Sequence, residues 1–341
     1  MKTIKTEDAV GHILCHDITQ IIKGAKKDAL FRKGHIIEEK DIPLLLSLGK
    51  DNLYVLEKNE NMLHENEAAL VLYDICADKS VMHPSEIKEG KIDIYADIDG
   101  LFKVDKKRLF AVNSQGQMMI ASRHGNTYVK KGDKLAGTRI IPLVIEKEKM
   151  AKAQKAAQGQ PIFTIKPLKR KKAAVIATGN EIFYGRIKDT FTDTIIEKSA
   201  EFSVDIIYKT VCPDNAKLIT KECLKAVENG SEIVFCTGGM SVDPDDRTPL
   251  AIKNTGARIL SYGSPVLPGA MLLLSYLGDI PIVGLPGCVM YSKRTVFDIV
   301  LPRLLADDII TEDELAFLGE GGLCLNCENC VYPNCGFGKG W

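Results

Sequence analysis

The 341-residue sequence has no excess of either charge: Lys+Arg and Asp+Glu both total 45, so the formal net charge is zero. Without a basic field, long-range attraction of nucleic acid is not expected. The one basic run, Lys166 to Lys172, is short and reads as a solvated strand edge. Apolar runs of membrane-spanning length are also missing, and Met-Lys-Thr-Ile-Lys-Thr-Glu at the start lacks the apolar core of a signal peptide. The expectation is a cytoplasmic protein with no nucleic-acid and no membrane partner. A third absence is Gly-x-Gly-x-x-Gly, which weighs against an ordinary nucleotide-binding α/β enzyme. The length suggests two or three domains.

What is present centres on Ile233-Val234-Phe235-Cys236-Thr237-Gly238-Gly239-Met240-Ser241, followed by Val242-Asp243-Pro244-Asp245-Asp246. The apolar run reads as a strand buried on both faces. Glycine then breaks it, allowing positive φ and close approach of a ligand to the backbone. Thr248 is expected to cap a new helix with Pro249 at its first position.

Residues 1–160 read as a mixed, β-rich region. It holds a short helix from about Glu38, a strand at Asn52 to Leu56, and an amphipathic helix from Glu65 to Cys76. Runs such as Ile92 to Tyr95 and Leu109 to Val112, split by Gly-containing turns, predict an antiparallel β domain at about 90–145. His12, Cys15 and His16 read as two histidines beside a buried thiol rather than as a metal cluster. His124 reads as a turn residue. A charged helix covers Glu146 to Ala157, and Gln158-Gly159-Gln160-Pro161 marks a domain boundary.

Residues 161–306 alternate strand and helix. Strands are expected at 173–177, 204–208, 233–236 and 280–283. Helices are expected at Asp193 to Glu201, after an Asp214 cap, from Thr248, and from Val289 to Leu305. The fold class is therefore α/β, with a parallel sheet covered by helices on both faces.

Three loops should meet at the carboxyl ends of these strands, where such sheets bind ligands. They are Thr178-Gly179-Asn180-Glu181 running to Gly185-Arg186-Ile187-Lys188-Asp189, the central Gly-Gly stretch, and Gly284-Leu285-Pro286-Gly287-Cys288. Glu181, Asp189, Asp245 and Asp246 facing backbone amides suggest an anion bridged by a divalent cation such as Mg2+. The same acids could serve only as helix caps.

These motifs, together with Leu267-Pro268-Gly269, resemble the molybdopterin molybdenumtransferase (molybdenum insertase) family over residues 170–305. The resemblance implies a transferase of molybdenum cofactor biosynthesis that binds molybdopterin and inserts molybdate. It implies Asp246, Glu181 and Asp189 as the acids of the reaction. It also implies Thr178, Gly179, Thr237, Gly238, Gly239, Ser241, Pro286 and Gly287 as cofactor-binding residues, and a homodimer. The chain departs from the family pattern at several points. Leu267 and Ala270 stand where lysines are usual, Phe191 and Cys288 where asparagines are usual, and Asp243 where glycine is usual. Two cations suited to an oxyanion are thus replaced by apolar residues. A second reading follows: a non-catalytic molybdopterin carrier or redox sensor that delivers cofactor to a molybdoenzyme.

Ten cysteines form two populations. Cys15, Cys76, Cys212, Cys223, Cys236 and Cys288 are scattered and read as buried thiols. Residues 307–341 comprise a short helix capped at Thr311, a Gly319-Glu320-Gly321-Gly322 stretch read as a flexible hinge, and a tail of Cys324-x2-Cys327-x2-Cys330-x4-Cys335 with Tyr332, Phe337 and Trp341. Four thiols so close predict one metal centre. The spacing favours an iron–sulfur cluster over Zn2+, although the last gap differs from the ferredoxin arrangement.

Overall fold

The computed structural model describes residues 2–20, 28–55, 61–241, 243 and 246–340. Leu56, Val242, Pro244, Asp245 and Trp341, all used in reading the sequence, lie outside the described residues. Contacts divide the chain into two units. One comprises residues 1–98, 104–123 and 130–165, the other residues 99–103, 124–129 and 166–341.

In the first unit, strands Lys2–Lys5 and Asn52–Val55 pair antiparallel. They close a small core of Leu14, Ile18, Ile37, Leu45 and Leu53. Four further strands form an antiparallel sheet: Met82–Pro84, Lys91–Ala96, Lys134–Ile140 and Met118–Ser122. The helix Glu65–Cys76 buries Ala68, Ala69, Leu72 and Cys76, as its periodicity requires. Leu109 to Val112, expected as strand, lies instead within a helix, Lys106–Asn113. Asp105 caps it by accepting from the Arg108 amide at 2.9 Å. The helix buries only Val112 and leaves Phe110 exposed.

The second unit is the sheet unit. In chain order it contains β1 (Lys172–Thr178), α1 (Asn180–Phe183), α2 (Phe191–Ala200), β2 (Asp205–Cys212), α3 (Ala216–Glu228) and β3 (Ile233–Thr237). Then come α4 (Thr248–Asn254), β4 (Arg258–Tyr262), β5 (Leu273–Leu277), β6 (Ile280–Leu285), α5 (Val296–Leu305) and α6 (Glu312–Ala316). The sheet order is β2-β1-β3-β6-β5-β4. The first four strands run parallel. β5 is antiparallel to both neighbours, so the sheet is mixed at one side. A two-residue turn at Gly278-Asp279 makes β5 and β6 a hairpin, with Leu277 opposite Ile280.

Strand alternation builds a core on each face. Ala173, Val175, Phe235 and Val283 meet α2 and α5. Ala174, Ile176, Val234, Cys236 and Ile282 meet α3 and α4. This is why the strand sequences read as continuous apolar runs. Burying Phe235 alone contributes on the order of 2–3 kcal/mol. The scattered cysteines behave as buried thiols: Cys15, Cys76, Cys212, Cys223 and Cys236 are buried and Cys288 is half-buried.

The long helix expected from Val289 is shorter. Gly287–Met290 is a 3-10 turn, and α5 starts at Val296. Thr295 and Asp298 cap it reciprocally, a local signal that overrides the continuing apolar composition. The first helix after β2 is capped by Asn215, not Asp214.

Residues 99–103 and 124–129 join this unit. Lys103 Nζ donates to Asp308 Oδ2 at 2.8 Å. Lys166 Nζ donates to Asp308 Oδ1 at 2.8 Å, and Arg303 Nε to Oδ2 at 2.7 Å. Burial works against ionisation of Asp308, but the hydrogen bonds from Lys103 and Lys166 and the charge of Arg303 hold its carboxyl at about 2.

Candidate functional site

Three loops leave the carboxyl ends of β1, β3 and β6, which are adjacent parallel strands. The first two loops are clamped together by small polar groups. Thr178 and Thr237 are buried at the strand ends. The hydroxyls of Thr178 and Thr248 lie 3.0 Å apart, and Thr248 Oγ1 donates to the Gly238 carbonyl at 2.8 Å. Thr248 is thus the first residue of α4 rather than its cap, which is Arg247. Its side chain holds the loops.

Gly238 and Gly239 have φ of 90° and 54°. A methyl group on Gly238 would overlap the Thr178 carbonyl oxygen, and one on Gly239 would lie 2.9 Å from Thr248 Oγ1. Both glycines are therefore demanded by backbone conformation and by close approach of two loops. The Met240 carbonyl accepts from Tyr262 Oη at 2.8 Å. Burial and then the negative charge of Asp246 raise the Tyr262 phenol above its ordinary value, which places the two groups in each other's field.

The first loop is tied to β2 by a reciprocal pair. The Asn180 amide donates to Asp214 Oδ2 at 2.9 Å, and the Asp214 amide donates to Asn180 Oδ1 at 3.3 Å. It is tied to the third loop through Thr190 Oγ1, 2.9 Å from Met290 Sδ. In the third loop Pro286 is buried, while Gly287 is exposed, with open space where a side chain would project. Cys288 is half-buried, and burial raises its thiol.

The acids do not gather. Asp189 lies one residue before the N-cap of α2, Thr190, and accepts from the Thr192 amide at 3.1 Å and from Thr192 Oγ1 at 2.6 Å. Glu181 is exposed and folds back toward Gly179, where an added methyl group would sit 2.6 Å from its carboxylate. Asp246 closes its own turn: its Oδ2 accepts from the Asp243 amide at 3.3 Å, and its amide donates to the Asp243 carbonyl at 3.0 Å. Ser241 and Asp243 are exposed. Among the described residues, no three His, Cys, Asp or Glu side chains are placed to hold a metal ion. Glu181, Asp189 and Asp246, among the described residues, are not gathered into a site for Mg2+.

Residues 174–306 match the family described as "Probable molybdopterin binding domain". The match lies within the sheet unit. Residues 3–57 match a second family, described as a domain of unknown function. Among curated relatives, the competence-damage inducible proteins of Bacillus velezensis and Bacillus subtilis (strain 168) are each 34% identical over 90 residues. That stretch is 26% of this chain and 21% of each relative, so the match spans about a fifth of their length. Among solved structures, MoaB, a molybdopterin biosynthesis enzyme from Thermus thermophilus, is 21% identical. It aligns over 41% of this chain and 98% of its own, with a TM-score of 0.34. A molybdopterin biosynthesis MoeA protein from Pyrococcus horikoshii is 14% identical over 90% of this chain and 75% of its own, also at a TM-score of 0.34. At those scores the structural likenesses carry no weight for function.

Sequence reasoning found the three loops but missed the groups that join them: Thr248 as a clamp, Tyr262, and the Asn180–Asp214 pair. The cysteine segment also differs from its reading. Cys324 and Cys335 are half-buried, Cys327 and Cys330 are exposed, and the four thiols do not gather about one point. Gly321 and Gly322 are no hinge. A methyl group on Gly322 would overlap the carbonyl oxygens of Pro265 and Leu318, and one on Gly321 would lie 2.9 Å from the Gly336 carbonyl. These glycines permit close packing of the segment on the sheet unit.

Proposed function

We propose that this chain binds molybdopterin in the crevice at the carboxyl ends of β1, β3 and β6 and acts in molybdenum cofactor synthesis. The observation that carries this reading is the clamping of Thr178, Gly238, Gly239 and Thr248 together at the carboxyl ends of β1 and β3, within residues that match a molybdopterin-binding family. Gly179, Thr237, Ser241, Pro286 and Gly287 border the same loops and would contact the pterin or its phosphate. Backbone amides at glycine turns suit a phosphate because no side chain stands between them and the anion.

The finer reading is insertion of molybdate, with Asp246, Glu181 and Asp189 as the acids. Asp246 is singled out because its charge acts on Tyr262, whose hydroxyl donates to the Met240 carbonyl just after the Gly-Gly pair. The carrier reading has its own support. Asp189 and Asp246 accept local hydrogen bonds from their own loops, and Leu267, 56% exposed, offers no charge to an oxyanion.

Equilibrium titration with molybdopterin under anaerobic conditions tests binding, and reconstitution of a metal-free molybdoenzyme tests insertion. If insertion occurs, Asp246→Asn leaves affinity within a fewfold of wild type and abolishes molybdate-dependent formation of active cofactor. If the chain is a carrier, wild-type protein binds without inserting, and Leu267→Lys with Ala270→Lys raises molybdate binding. No measurable affinity for molybdopterin would sink both.

A further inference from the structure

The fold sorts the four thiols of the cysteine segment into two kinds. Cys324 and Cys335 pack with Tyr332 against the core that buries Phe337. The segment is fastened on both sides of its loop. On one side the Cys324 amide donates to the Leu267 carbonyl at 2.8 Å, and the Leu267 amide to the Gly322 carbonyl at 2.8 Å. On the other, Tyr332 Oη donates to the Asp298 carbonyl at 3.0 Å, and the Arg294 guanidinium lies 5.3 Å from the Tyr332 ring centre. Between these anchors residues 325–331 stand out from the surface. Cys327 and Cys330 are exposed, and the chain bends at Glu328-Asn329 between them. Lys293 Nζ donates to the Glu328 carbonyl at 3.0 Å and fixes the bend.

One chain therefore presents two thiols on a fastened loop. We propose that Cys327 and Cys330 form half of a tetrathiolate zinc site that a second copy of this chain completes. Zinc takes four thiolates in a tetrahedron, most often from two separated C-x2-C pairs, and a single chain presents one such pair with both thiols exposed, Cys327 and Cys330. A two-fold axis through the metal brings the same pair from the partner copy, the simplest closed assembly. Coordination needs no oxidant: four thiols lose their protons and four Zn–S bonds form. Lys293, already held at the bend, offsets part of the resulting negative charge. The loop is rimmed by apolar side chains that water now covers: Leu325 is 78% exposed, Leu323 61% and Val331 56%. A second copy seated on the loop would bury them. The proposal is independent of molybdopterin binding.

The test uses the full chain, reduced, freed of metal with a chelator, and titrated with Zn2+ alone. Metal is counted by elemental analysis and mass by sedimentation. The expected endpoint is one tightly bound zinc per two chains, in a particle of two chains that loses its metal to chelator. Cys327→Ser with Cys330→Ser abolishes that uptake, while Cys324→Ser with Cys335→Ser retains the stoichiometry. One zinc per chain in a single-chain particle, or loss of metal in both double variants, would overturn the proposal in favour of a four-thiol site within one chain. Protein purified without oxygen as a brown, iron-containing species, or protein with no zinc affinity, would overturn it as well.

Discussion

The loop crevice and the cysteine segment are both rich in residues that sequence reasoning singles out, and the structure treats them in opposite ways. In the crevice, glycines and threonines of modest individual significance converge. In the segment, four cysteines with the most distinctive spacing in the chain do not. The difference lies in what each pattern constrains. Gly238 and Gly239 are fixed by backbone conformation and by the approach of Thr178, so their geometry exists without a ligand. Cysteine spacing constrains geometry only once a metal pulls the thiols together. Cys324 and Cys335 pack against the core as small apolar side chains.

Gly238→Ala should break the comparison most sharply. It forces a side chain into a left-handed φ and against a carbonyl, so a loss of about 3 kcal/mol or more is expected. Urea denaturation and molybdopterin titration should both register it. Phe337→Ala tests whether the cysteine segment is as firmly placed as the crevice. Phe337 is 5% exposed, and removing such a ring costs about 3 kcal/mol. Limited proteolysis should then cut within residues 320–340 while the sheet unit stays folded; equal resistance of wild type and variant would show that the ring does not hold the segment. The smallest effect is expected at Gly287→Ala, where a methyl group meets nothing within 4 Å. Stability should change by less than about 0.5 kcal/mol. Any fall in molybdopterin affinity would then report on the crevice alone.

The strands and their loops were legible because β1, β3 and β6 are buried on both faces and end at glycine or a Gly-containing turn. The clamps were not. Thr178 and Thr248 are 70 residues apart and Asn180 and Asp214 are 34 apart, and nothing local announces that either pair meets. The helix from Val289 was overextended because apolar composition continues past Met290, although Thr295-x-x-Asp298 carried the true start. The antiparallel strands β4 and β5 carry no strand–helix alternation, being joined through a loop and a tight hairpin instead of by helices. Gly321-Gly322 was ambiguous in principle: a glycine pair fits a flexible joint and a crowded contact equally well, and only the neighbours decide.

The polypeptide passes between the two units at 98/99, 103/104, 123/124, 129/130 and 165/166. A fragment begun after the last of these crossings would carry Asp308, Arg303 and Lys166 but leave Lys103 behind. The sheet unit is therefore not a cassette that truncation or gene fusion can lift out whole. Expressed from residue 166 onward, it would expose the surface that residues 99–103 and 124–129 cover in the full chain. Any recombination that shuffles this unit between proteins must also carry its two short pieces, residues 99–103 and 124–129, which lie in sequence within the other.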